Sequence, residues 1–284
     1  MHKLLCIVGP TGTGKTALAL RLSARQPSIL ISADSRQVYR GMDIVTGKDQ
    51  TPGIKLYGID LVDPDESCSV AVWYDAIMPH IIQAWKENKQ VIVVGGTGLY
   101  VKAITHGIKT MRISINQPLR DQLSLLSITE QQAKLNQLDP TKFSNMNQSD
   151  QNNPRRLIRA IEIAHTPHQS FAIHPQSSPT LVGLKYFDDS NYRSAIEARV
   201  KTRLTLGAIR ETEHLITHAS PQALSAIGYR SIVSFLESRC TKKEMIEQWV
   251  HDELSYAKRQ LTWFNKQKVT WYDIDKEDYD YTKN

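Results

Sequence analysis

Residues Gly9-Pro10-Thr11-Gly12-Thr13-Gly14-Lys15-Thr16 carry the spacing G-x-x-x-x-G-K-[ST], directly after the apolar run Leu4 to Val8. A loop of this kind binds polyphosphate. Its glycines let backbone N–H groups turn inward, Lys15 supplies a point positive charge, the Thr16 hydroxyl can ligate Mg²⁺, and the helix starting near Lys15 adds the positive end of its dipole. The alternative is a chance glycine-rich turn. The strand before the loop and the helically spaced Ala17, Leu18, Leu20 and Leu22 after it supply the context that the motif requires. The motif does not say which phosphate ester it holds.

A second segment, Ile31-Ser32-Ala33-Asp34-Ser35-Arg36-Gln37-Val38-Tyr39, follows the second strand, whose C-terminal end in a doubly wound sheet opens toward the phosphate loop. Asp34 therefore either faces that site or is a helix cap or turn residue. Gly95-Gly96-Thr97-Gly98 follows the buried run Val91 to Val94 and reaches the same edge, though taken alone it is also a tight turn. ATP-driven motors and switches end such a strand with a carboxylate that orients Mg²⁺ and water; glycines here argue against ordinary NTP hydrolysis. Arg199 lies in the helical stretch Ile196 to Arg203, and Arg155, Arg156 and Arg159 sit at i, i+1 and i+4 of another helix. At least two of these three share a face suited to backbone phosphates. For all four arginines the other reading is a solvated helix face.

These groups need a scaffold that brings strand ends together. Apolar runs at Leu4 to Val8, Ile29 to Ile31 and Val91 to Val94 alternate with helical stretches Lys15 to Arg25 and Val70 to Glu87, the rhythm of a buried parallel sheet. The fold class is α/β: a P-loop NTPase-like parallel sheet core with an inserted small helical module and a helical C-terminal part. Residues 107–153 are rich in Gln, Asn and Ser, with Leu119, Leu123, Leu126 and Ala133, Leu135, Leu138 at helical spacing; this predicts the inserted module, leaving 1–106 and 154–284 as the core. Helices are predicted over Pro154 to His165, Ala195 to Ile216, Gln222 to Leu236 and Lys242 to Asn265, with strands at Leu181 to Tyr186 and Val269 to Tyr272 and a frayed tail from Asp273.

With 284 residues the chain can bury a large core, and 35 Lys and Arg against 29 Asp and Glu lean toward a polyanionic partner without requiring one. Three distant cysteines, Cys6, Cys68 and Cys240, fit neither a disulfide framework nor a zinc site, which points to a reducing interior. No apolar run reaches the roughly 18 residues of a membrane span, and the chain enters its first strand at once, leaving no room for a signal peptide. A cytoplasmic protein with no membrane association is expected.

Taken in order, these segments resemble the tRNA dimethylallyltransferase (tRNA isopentenyltransferase) family over nearly the whole chain. The resemblance is carried by G-P-T-G-T-G-K-T at 9–16, A-D-S-R-Q-V-Y-R-G-M-D-I at 33–44, D-P-D-E at 63–66, S-V-A at 69–71 and V-G-G-T-G-L-Y at 94–100. It continues through R-R-L-I-R-A-I-E at 155–162, A-I-G-Y-R at 226–230 and Y-A-K-R-Q-L-T-W-F at 256–264. It implies transfer of a dimethylallyl group from dimethylallyl diphosphate to N6 of adenosine 37, beside the tRNA anticodon, giving N6-isopentenyladenosine and diphosphate. Asp34 matches the family's general base. Lys15, Thr11 and Arg199 match its electrostatic stabilisers of the leaving group, and Gly9, Pro10, Thr11, Gly12, Thr13, Gly14, Lys15 and Thr16 its diphosphate loop, with Mg²⁺ on Thr16 as the cofactor. The anticodon stem-loop is expected at Ser35, Arg36, Gln37, Thr97, Gly98, Arg120, Arg155, Arg156, Arg159, Gly228, Tyr229 and Arg230, with residues 107–153 also contacting tRNA. Among the three clustered arginines the resemblance favours Arg156 and Arg159. Tyr229 beside Arg230 reads as an aromatic platform next to a cation. The segment Tyr256 to Phe264 reads as mainly structural, Trp263 and Phe264 in the core and Lys258 and Arg259 facing RNA. A monomer is expected.

The chain departs from the family pattern at Val45-Thr46-Gly47-Lys48-Asp49, at Leu56-Tyr57-Gly58-Ile59-Asp60, at Cys68, where an aromatic is usual, and at Ala195, where an Arg often stands. Competing readings are a phosphate-loop small-molecule kinase with Asp34 on an acceptor hydroxyl, a prenyl transferase acting on free AMP, and a non-catalytic RNA-binding protein. The inserted module and the basic C-terminal helices favour tRNA over AMP, and intact Lys15, Thr16 and Asp34 disfavour a catalytically dead protein.

Overall fold

The computed structural model describes residues 4–48, 51, 53–166 and 179–276. Two units emerge, one from residues 1–107 and 174–284, the other from 108–173.

The larger unit is built on a six-stranded sheet. In chain order it contains β1 (Leu4–Val8), α1 (Lys15–Ser23), β2 (Ser28–Ser32), β3 (Leu56–Tyr57), α2 (Val70–Lys86), β4 (Gln90–Gly95) and α3 (Gly98–Thr105). The strands stand in the order β3-β2-β4-β1, continued by two strands from the C-terminal half, and every pairing is parallel. Leu5, Ile7, Leu30, Ile92 and Val94 are buried together with Leu18 and Leu22 of α1, which explains the uninterrupted apolar runs: strands covered on both faces have no solvent side to mark. Val8 pairs with Gly95 and Ser32 with Val94, so β1, β2 and β4 end level and their loops leave from one edge.

The smaller unit is helical: α4 (Gln117–Ser124), α5 (Ile128–Leu138), α6 (Pro140–Ser144), α7 (Gln148–Gln151) and α8 (Pro154–Ala164). Leu123, Leu135, Met146, Leu157, Ala160 and Ile161 form its core. The insertion therefore extends past residue 153 to take in α8, because the apolar face of α8 packs on α4 and α5 and is part of their core. Caps start its helices: the side chains of Asn116, Ser127, Asp139, Asn147 and Asn153 each accept a backbone N–H three residues on.

The chain returns to the larger unit with β5 (Pro179–Lys185), α9 (Asp189–Leu206), α10 (Ala208–Leu215), α11 (Pro221–Leu224), α12 (Tyr229–Leu236), α13 (Lys242–Phe264) and β6 (Thr270–Asp273). β5 pairs with β1 and β6 with β5, completing the sheet. The single helix expected over Ala195 to Ile216 is two, broken at Gly207 (φ 107°), and the one over Gln222 to Leu236 is broken at Gly228 (φ 98°). The tail beyond Lys276 lies outside the described residues.

One buried charge organises the smaller unit. Glu162 is 2% exposed, accepts the Asn116 amide (2.6 Å) and both prongs of Arg120 (3.0 and 2.9 Å), and is also paired with Arg159. Arg159 spends its other donor on the carbonyls of Thr110 (3.1 Å) and Ile113 (2.9 Å). Burial alone would raise the Glu162 pKa, but the hydrogen bonds from Arg120, Asn116 and Arg159 hold it down at about 2 instead of 4.5. A carboxylate lowered on folding stabilises above its unfolded value, so this contribution, on the order of 3 kcal/mol, is complete above about pH 4.5 and is lost as pH falls toward 2. Hydrogen-exchange protection in α4, α5 and α8, corrected for intrinsic rates, is expected to decline over that window, and Glu162→Gln should show the low protection already at pH 6. Equal protection of both proteins at pH 6 would contradict this account.

Candidate active site

The phosphate loop closes as a cradle. The Thr13 hydroxyl donates to the Pro10 carbonyl (2.9 Å), Lys15 Nζ reaches the same carbonyl, and the Tyr192 hydroxyl of α9 donates to the Thr11 carbonyl (3.1 Å). Gly14 caps α1 without a side-chain hydrogen bond, and no acidic residue stands in the first turn, so the helix start keeps its amide donors and its positive end for an anion.

A cleft of about 940 Å³ opens over this loop. Thr11, Gly12, Thr13, Gly14, Lys15 and Thr16 form its floor; Asp34, Arg36 and Gln37 enter from the end of β2, Arg199 and Arg203 from α9, and Arg230 from α12. The loop, Asp34 and Arg199 thus meet in one place, although 165 positions separate the latter two in sequence. Gly9 and Pro10 stay behind the floor, buried at the strand end.

Asp34 is half-buried. Its Oδ1 accepts the Arg36 amide (2.8 Å), fixing the turn, while among the described residues no donor engages Oδ2. One oxygen thus shapes the backbone turn, in a residue that also lines the cleft. The Ser35 amide donates to Thr97 Oγ1 (3.0 Å), Gln37 bridges the Ser32 hydroxyl (2.9 Å) and the Gly47 carbonyl (3.2 Å), and Arg36 donates to the Gln222 carbonyl (2.9 Å). These bonds tie the turn after β2 to the loops after β4 and before β3.

Arg199 has a companion that the sequence reading passed over. Arg203, one turn on, is 5% exposed, pairs with Glu253 of α13 (2.8 Å) and lies beside the Thr46 carbonyl (3.5 Å). A Cβ added at Gly47 would collide with the terminal nitrogens of both arginines, so the two guanidinium groups lie against bare backbone. Burial chiefly, and then the Arg199 charge, lowers the Arg203 pKa, against the raising effect of Glu253. Arg199 Nε is buried with no hydrogen-bond partner among the described residues.

Helix α13 contributes more than packing. Tyr256 and Gln260 line the cleft and Arg259 stands exposed at its rim. Burial, and then the Asp34 charge, pushes the Tyr256 phenol up to about 12 against the lowering effect of its Thr97 hydrogen bond, so it stays a neutral hydrogen-bonding group near Asp34. The positions Asp252, Tyr256, Arg259 and Gln260 recur at helical spacing, a polar stripe that betrays the second face of this helix.

Four expectations are corrected. Tyr229 is no platform: it is fully buried with its hydroxyl on Glu211 (2.7 Å), and Gly228 faces the Trp249 ring. Trp263 is 38% exposed and lies close against Gly98, whereas Phe264 is buried as expected. Arg120 and Arg159 are consumed by Glu162, which leaves little for an external phosphate. Arg155 and Arg156 are the exposed members of that cluster, Arg156 paired with Asp150 at the surface.

Residues 37–267 match the family described as IPP transferase. The chain is 36% identical over 297 residues to a tRNA dimethylallyltransferase of Halalkalibacterium halodurans, covering 98% of this chain and 93% of that protein. It is 34% identical over 290 residues to the protein of the same name from Bacillus cereus strain AH820, covering 96% and 90%. Its structure is similar to that of the full-length tRNA isopentenylpyrophosphate transferase of Bacillus halodurans, with a TM-score of 0.73 at 34% identity over 99% of this chain and 93% of that one. It shares its fold with a eukaryotic dimethylallyltransferase acting on tRNA, with a TM-score of 0.81 at 22% identity over 96% and 74%. On this evidence the chain belongs to the IPP transferase family, among the tRNA dimethylallyltransferases.

Proposed function

We propose that this chain transfers the dimethylallyl group of dimethylallyl diphosphate to N6 of adenosine 37 in tRNA, releasing diphosphate. The observation that carries the reading is the convergence of the phosphate loop, the free oxygen of Asp34 and the Arg199–Arg203 pair in one cleft. An exocyclic adenine amine is a weak nucleophile. Asp34 Oδ2 orients it and takes one proton as nitrogen bonds to the allylic carbon; the C–O bond to diphosphate breaks and its electron pair leaves with the phosphate. The loop amides, Lys15, the Thr11 segment, Arg199 and Arg203 stabilise the charge gathered there. Mg²⁺ suits the donor set, since such an ion is held mainly by phosphate oxygens with one or two protein oxygens, and the half-buried Thr16 hydroxyl lines the cleft floor. When bound it supplies charge neutralisation. The adenine must leave the anticodon-loop stack to enter the cleft, where Arg36 and Gln37 offer polar groups, with Ser35 and Thr97 bonded to each other beside Asp34. Among the described residues no helix is long and apolar enough to cross a membrane. The functional unit is a monomer working in the cytoplasm.

Asp34→Asn is expected to lower single-turnover transfer by about two to four orders of magnitude with tRNA affinity nearly unchanged. Near-normal transfer by the folded variant would remove Asp34 from the role of base. Arg199→Ala should reduce kcat more than it weakens tRNA binding, and a loss confined to tRNA affinity would recast it as an RNA contact. Replacing Arg155 and Arg156 together by Ala should reduce the salt slope of tRNA binding by about one to two units without changing diphosphate binding. An unchanged slope returns both to ordinary surface arginines. Arg159→Ala, by contrast, is expected to destabilise the smaller unit.

A further inference from the structure

Glu211 takes no part in the reaction above, yet four donors converge on it. It stands in the first turn of α10, just past the break at Gly207, and its carboxylate accepts the consecutive amides of Asp43 (2.9 Å), Ile44 (2.6 Å) and Val45 (3.0 Å) as well as the Tyr229 hydroxyl. Three successive amides turned toward one anion make a backbone nest, a concavity that elsewhere binds phosphate. Here the protein fills it with its own carboxylate. Tyr229 is a permanent donor to it, since burial and then the Glu211 charge drive its phenol pKa far up.

The pinned backbone runs directly into the wall of the cleft. After Val45 come Thr46, whose carbonyl faces Arg203, and Gly47, whose carbonyl receives Gln37 and whose bare Cα faces both arginines. On the far side Lys48 Nζ holds the Tyr39 carbonyl and the Asp43 carboxylate, each at 2.6 Å. Residues 43–48 are thus clamped from two directions, and the clamp from the α10 side is Glu211.

We propose that Glu211 is a positioning residue for the group transfer: by fixing the backbone of residues 43–45 it sets where Thr46 and Gly47 meet the guanidinium groups of Arg199 and Arg203, and so where these cations stand against the leaving diphosphate. This rests on the reading of the cleft as a diphosphate site. Glu211→Gln keeps the size of the side chain but replaces one acceptor oxygen with an NH₂ that opposes the amides. Tyr229→Phe removes a single donor and keeps the ring that fills the core.

The test is a double-mutant cycle read by single-turnover transfer, together with calorimetric binding of inorganic pyrophosphate. Glu211→Gln should slow transfer about 10- to 100-fold and weaken pyrophosphate binding several-fold, with the apparent tRNA dissociation constant within about 2-fold of the parent. Tyr229→Phe should move the same quantities in the same direction by less. In an Arg199→Ala background the Glu211→Gln effect should shrink to less than half its size in fold terms, because only Arg203 is left for the pinned backbone to position. Full additivity in the cycle, or unchanged transfer and pyrophosphate binding in the folded variants, overturns the proposal. If Glu211→Gln does not fold, the Tyr229→Phe cycle with Arg199→Ala decides by the same criterion. A parent protein that binds no pyrophosphate would instead defeat the reading of the cleft.

Discussion

Two guanidinium groups held side by side against the backbone of Gly47 are the interaction around which the rest of this site is arranged. Like charges in a partly dry cleft repel. The protein offsets one of them: Arg203 is buried against Glu253, itself 4% exposed, with the Trp249 ring 6.0 Å away. Arg199 is left without an acidic partner among the described residues, its Nε buried and unbonded. An arrangement that is unfavourable when empty becomes favourable when a multiply charged anion enters, and most favourable when that anion gains charge. This is the condition for stabilising a departing diphosphate more than a bound ester.

The sheet delivers the remaining groups to this pair. Because β1, β2 and β4 are parallel and end in register, the phosphate loop, Asp34 and Thr97 leave from neighbouring positions on one edge. Short bonds then cross between the loops: the Ala33 amide to the Val94 carbonyl (2.7 Å), the Thr97 amide to the Ala33 carbonyl (3.0 Å) and the Gln260 amide to the Gly96 carbonyl (3.1 Å). Asp34 is held by backbone anchored on both sides. A carboxylate held in this way needs little reorganisation to meet a ligand.

What the sequence could and could not say follows from the range of the forces involved. The phosphate loop, the parallel strands and the polar turn at Asp34 are local patterns, and they stand where their spacing implies. The insertion ended too early because the apolar stripe of α8, Leu157, Ala160 and Ile161, announces that the helix packs but not on which neighbours. Arg159 and Tyr229 look outward-facing in sequence, since a cation on a helix and an aromatic beside Arg230 carry no mark of burial. Their partners, Glu162 and Glu211, become visible only once the chain is folded. Arg203 was legible in principle: a second arginine four residues after Arg199 falls on the same helix face.

The loop after β4 shows why a fold built for nucleotides serves a reaction without nucleotide hydrolysis. A hydrolase needs a carboxylate at the end of this strand to orient water and metal. Here a side chain at Gly95 would strike the Ala33 carbonyl, and one at Gly96 would strike Gln260 of α13. Close packing on Ala33 and on α13 therefore leaves no room for a side chain at these two positions. With β4 closed off, the only acidic group that a strand end brings into the cleft among the described residues is Asp34, just after β2 and one strand away from β4.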